Sequence, residues 1–127
     1  MSELNLTLLP EPMAVCRANP DAPFPDGLPG SGFWSLTRTA EELSLVISEH
    51  LVPQDWQIES GWRCLKVEGP LDFSLTGILS ALIAPLAAAG IPVFAISTYE
   101  TDYLLVKQNH LEKTLVVLSQ HRFNVKP

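Results

Sequence analysis

The sequence predicts an α+β protein in which a ferredoxin-like βαββαβ unit, residues 61–127, follows a reduced, strand-rich half, residues 1–60. Three observations predict it. Residues 1–60 show short apolar–polar alternations of period two and no convincing helical stripe. Residues 61–127 contain two stretches with apolar residues at helical spacing, each flanked by short β-branched and aromatic runs. Between the halves lies a connector, His50 to Ser60, interrupted by Pro53. With 127 residues, 46% of them hydrophobic, the chain can bury one compact core or two small ones packed together.

The first half reads as strands at Leu4 to Leu9, Met13 to Arg17, Phe33 to Thr39 and Leu43 to Ser48. The last two form the clearest hairpin. Trp34 and Leu36 alternate with Ser35 and Thr37, Leu43, Leu45 and Ile47 alternate with Ser44 and Ser48, and Thr39 to Glu42 supplies the turn. Asn19 to Gly32 holds four prolines and three glycines, which forbid regular structure and predict a long loop. Trp56 is expected to anchor the connector between the halves.

The second half reads as strand Trp62 to Val67, helix Leu75 to Ala89, strand Val93 to Ser97, strand Tyr103 to Lys107, helix His110 to His121 and a final strand Phe123 to Val125. In the first helix Ile78, Leu79, Leu82, Ile83 and Leu86 share a face. Pro85 should kink its last turn, and Gly90 with Pro92 is a stop signal. Gly77 in the first turn costs about 1 kcal/mol relative to alanine, so it implies a reason, either a ligand close to the backbone or packing. In the second helix Asn109 and Glu112 have capping-box spacing, and Leu111, Leu115 and Leu118 form the core face.

Composition excludes several functions. Fourteen acidic residues against eight basic ones argue against nucleic acid, whose phosphates need clustered Lys and Arg. Cys16 and Cys64 are too few and too separated for a disulfide framework and read as small buried hydrophobes. The uncharged run Phe73 to Tyr99 is long enough to span a bilayer, but Pro85, Gly90 and Pro92 interrupt it and acidic residues bound it, so no membrane is expected. The first residues lack the basic start of a secretory signal, and a cytoplasmic location is expected.

Catalytic signatures are missing: no nucleophile elbow, no phosphate-binding glycine loop opening a helix, no zinc-binding histidine pair. His50, His110 and His121 are too dispersed for a local metal site, and no cofactor is expected. Glu41 with Glu42 and Glu100 with Asp102 are paired carboxylates, a weak basis for acid–base work without a nucleophile.

The segments Gly77-Ile78-Leu79, Pro85-Leu86, Gly90-Ile91-Pro92-Val93 and Ser97-Thr98-Tyr99-Glu100-Thr101-Asp102-Tyr103-Leu104-Leu105-Val106 resemble the ACT domain family, in the branch holding the cytosolic arginine sensors and their bacterial tandem relatives. The likeness spans about 65 residues, and the Phe33 to Ser48 hairpin looks like the companion half. It implies a βαββαβ ACT domain preceded by a reduced ACT-like half, and allosteric sensing of an amino acid rather than catalysis. It also implies a ligand site at Gly77, Ile78, Leu79, Thr98, Tyr99 and Asp102, and a homodimer that rebuilds the larger sensors' set of units. Where that branch carries an acidic residue two positions before the glycine, this chain has Leu75, so a guanidinium pocket is not implied. The competing expectation is a protein-interaction module without a small ligand, which an exposed apolar patch at Phe24, Leu28 and Phe33 would favour.

Overall fold

The computed structural model describes residues 4–68 and 77–127. The chain forms two compact units, one of Met1–Pro10 with Arg63–Pro127, the other of Glu11–Trp62. The division therefore differs from a single cut at residues 60 and 61. A period-two pattern shows that a strand exists at the start of the chain but carries no information on which strand it pairs with.

The Glu11–Trp62 unit is built from β2 (Met13–Ala18), β3 (Ser35–Arg38), β4 (Leu43–Ser48) and the first residues of β5 (Gln57–Val67), in the order β3–β4–β2–β5. Its core follows from register. Ala14 lies opposite Ile47 and Cys16 opposite Leu45, so alternation along both strands brings these four onto one face. Leu28, Trp34, Leu36, Val52 and Trp56 pack against them, so Trp56 does anchor the connector. The hairpin turn is closed by Thr39, whose hydroxyl accepts the N–H groups of Glu41 and Glu42, both at 3.1 Å.

The proline-rich loop has no helix or strand and is tied down where the Trp34 indole donates to the Pro29 carbonyl at 2.9 Å. The three apolar residues proposed as an interaction patch separate: Phe24 is 56% exposed, while Leu28 joins the core and Phe33 is half-buried. Strand β5 begins five residues earlier than the sequence pattern suggests. Gln57, Ile58 and Glu59 pair with Arg17, Cys16 and Val15, and their mostly polar, exposed side chains give no apolar signal.

In the other unit β1 (Leu4–Leu8) runs antiparallel to β5, with Leu6 opposite Val67, and parallel to β8 (Phe123–Lys126). With β6 (Phe94–Ser97) and β7 (Asp102–Lys107) the order is β8–β1–β5–β7–β6. Two helices, α1 (Ile78–Ala88) and α2 (Leu111–Gln120), complete the βαββαβ sequence from β5 onward. Leu82 and Leu86 of α1 and Leu111 and Leu118 of α2 are buried with Leu6, Leu65, Val67, Leu104 and Val106, so the helices cover one face of this sheet. Ile78, Leu79, Ile83 and Leu115 pack at the margin of that core.

The helix ends reward and correct the sequence reading. Helix α1 stops in a Schellman arrangement: the N–H of Gly90, at φ 77°, reaches Ala87 O at 3.0 Å and the N–H of Ile91 reaches Leu86 O at 2.9 Å. Its start is corrected, because Gly77 is the N-cap, at φ 81°, and not a residue of the first turn; residues 75 and 76 lie outside the described ones. Pro85 does sit inside the helix. The capping box also fails. Gln108–His110 form a 3-10 turn, which makes His110 the N-cap of α2 and leaves it without a side-chain cap.

Candidate functional site

Glycine at position 77 is explained by its backbone. At φ 81° the left-handed conformation is costly for any residue with a Cβ, and a Cβ there would meet no atom within 4 Å among the described residues. Packing against the described residues is therefore not the reason for the glycine. Having no side chain, Gly77 leaves the donors of the first turn of α1, beginning with Ile78 and Leu79, without an N-cap partner. Ile78 and Leu79 themselves are half-buried against the core, so their backbones and not their side chains face the question of a ligand.

The other sequence-predicted residues lie in and beside the tight connection between β6 and β7. The Thr98 N–H donates to Thr101 O at 2.8 Å and its hydroxyl to the same oxygen at 3.0 Å, closing the turn. Asp102, half-buried at the start of β7, accepts the Ser97 hydroxyl at 2.5 Å. Tyr99 is 81% exposed at the tip. Glu100 is exposed beside it.

Thr101 is the residue that sequence reasoning left unassigned. It is 6% exposed, and its hydroxyl donates to Val67 O at 2.5 Å, which ties the turn to the end of β5. The Thr-x-x-Thr spacing of residues 98 and 101 is the signal for the turn, but nothing local shows that the second threonine faces another strand.

Topology relates the two groups. Helix α1 passes into β6 through residues 89–93 only, so it ends where β6 begins and starts at the end of the sheet where β6 finishes. Gly77, Ile78 and Leu79 thus share an end of the unit with Thr98, Tyr99 and Asp102. Within that end, hydrogen bonds join Thr98 to Thr101 and Asp102 to Ser97 directly.

Among the described residues no group of three His, Cys, Asp or Glu side chains is placed to hold a metal. Both thiols are free and buried, and burial pushes them up, Cys64 to about 12, so they are inert as nucleophiles. No helix among the described residues is long and apolar enough to cross a membrane.

Comparison with known proteins places this geometry among relatives. A family model described as an ACT domain matches residues 57–120, and a second, described as an N-terminal domain, matches residues 11–55. The chain is 33% identical over 99 residues to the Homo sapiens cytosolic arginine sensor for mTORC1 subunit 1; that match covers 69% of this chain and 30% of the sensor, and the Bos taurus sensor gives the same figures. The chain thus spans about a third of the length of these curated relatives. A crystal structure of a protein from Agrobacterium tumefaciens superposes with a TM-score of 0.90 at 37% identity, covering 98% of this chain and 93% of that one. The aspartate kinase of Clostridium acetobutylicum, an allosteric enzyme, shares the fold at a TM-score of 0.65 and 12% identity, over 89% of this chain and 33% of the kinase.

Proposed function

Because the chain belongs to the ACT domain family, we propose that it is a regulatory module that binds an amino acid at the start of α1 and the β6–β7 turn, and that it is not an enzyme. One observation carries the reading: a helix start with a side-chain-free N-cap shares an end of the sheet with a half-buried carboxylate. The two ends of an α-amino acid ask for those two groups. Backbone donors and the helix dipole at Ile78 and Leu79 favour a carboxylate, and Asp102 favours an ammonium. Thr98 holds the turn, and Tyr99 offers an exposed ring beside it. The curated relatives are named as arginine sensors in the cytosol, which supports sensing and a cytoplasmic location here. A homodimer would supply the further copies of the unit that a longer relative, of which this match covers 30%, carries in one chain.

Thermal unfolding in the presence of each of the twenty amino acids, repeated with Asp102→Ala, tests the proposal. A ligand at about 100 times its Kd stabilises by about 2.7 kcal/mol. A selective rise lost in the variant supports sensing at this site. No rise with any amino acid refutes it and returns attention to a protein partner.

A further inference from the structure

The Glu11–Trp62 unit contains a cleft of about 450 Å³ that the reading above does not use. It lies where the end of β2, the first residues of the proline-rich loop and the approach to β5 converge, and its lining includes Arg17, Asn19, Pro23, Gln54, Asp55 and Trp56. The volume falls in the range of about 300–1,000 Å³ typical of small-molecule sites. We propose that this cleft is a second binding site, for a zwitterion of amino-acid size.

Its charges argue for that class. Arg17 and Asp55 line one cleft without forming an ion pair with each other, and the Asp55 carboxylate has no hydrogen-bond or ion-pair partner among the described residues. Arg17 spends one Nη2 bond, 3.1 Å long, on the Glu41 carbonyl, and its planar fork has further donors able to meet a carboxylate. A ligand carrying both charges satisfies both walls, whereas a simple anion or cation leaves one of them opposed.

The walls are also preorganised. Trp56 packs on the core of the unit and so offers a ring held in place, and Asn19, Gln54 and Gln57 add amide groups able to meet either end of the ligand. The Ala22 N–H donates to Asn19 O at 3.0 Å, closing the turn that forms the loop side of the cleft. Asp55 adopts φ 71°, an uncommon conformation for a residue other than glycine, and occupies it at the cleft wall.

Two-dimensional nitrogen–proton spectra of the whole chain test this, read at the Trp56 indole and the backbone amides of residues 17–19, 21, 22 and 54–57. The probes are the twenty amino acids, each at about 10 mM, a level that registers affinities as weak as millimolar. At least one is expected to give saturable shifts there, in the wild type and equally in Asp102→Ala. Its methyl ester and its N-acetyl derivative, each lacking one charge, should bind at least about tenfold more weakly, as should the parent amino acid to Arg17→Met or Asp55→Asn. Asparagine tolerates the left-handed conformation, so Asp55→Asn keeps the backbone and remains informative if Arg17→Met fails to fold. Absence of saturable shifts at these positions overturns the proposal. So does retention of affinity by both derivatives, or loss of the shifts in Asp102→Ala, which would assign them to the other site.

Discussion

Replacing Gly77 by alanine should cost about 1 kcal/mol in denaturant unfolding, with Gly77→Asn costing less, because the penalty lies in a left-handed backbone and not in a clash. An equal loss for both substitutions would mean that a side chain at position 77 meets something. Cys64 makes a different prediction. Its thiol is raised from 9.0 to about 12 in the folded chain, so the folded state holds its proton more tightly than the unfolded state does. The stabilisation is complete below about pH 9 and is lost as pH rises from there towards 12, with a slope of up to about 1.4 kcal/mol per pH unit. Measured between pH 8 and pH 11, at about half-unit steps, wild type should lose more stability than Cys64→Ala; parallel curves would refute the assignment.

The connections between elements carry as much as the elements. Thr101→Val keeps the shape but removes the donor to Val67 O, and should destabilise the chain by about 1 to 3 kcal/mol, since a buried carbonyl loses its partner. Loss of less than a few tenths of a kcal/mol would show that the carbonyl is solvated. The sequence made the helices and strands legible because their apolar faces are buried: Leu82 and Leu86, Leu111 and Leu118, and the Leu43–Leu45–Ile47 alternation all occupy the cores they announce. It was less informative where polar residues adopt regular structure, as in Gln57–Ser60 of β5, or where a local motif competes with a longer-range choice, as at Asn109, which enters a 3-10 turn and gives up its cap. For the candidate site, the residues of the β6–β7 turn were legible from their polarity. The conformation of Gly77 and the inward role of Thr101 were not, since both depend on backbone geometry and on a distant strand.

Pairing of β1 decides what counts as a unit in the whole molecule. With β1 set between β5 and β8, residues 63–127 alone would present β8 without its parallel partner and the Leu6 position in the core without its side chain. Deleting residues 1–10 should therefore abolish the cooperative thermal transition of the Arg63–Pro127 region, read from its amide spectrum, and adding a peptide of residues 1–10 should restore it in part. A deletion variant with wild-type dispersion and melting would show that β5 and β8 close the sheet without β1.

The same placement bears on how the chain is made. Residues 4–8 leave the ribosome ahead of both partner strands, and β8 is complete only when residue 126 has been joined, so β1 must wait until every element between it and β8 has been made. Glu11–Trp62, within which β3, β4, β2 and the first residues of β5 pair, can meanwhile fold as it emerges. The leucine-rich β1 then needs shielding while it waits, and the step that captures it between β5 and β8 closes the longest sequence separation among the described strand pairings.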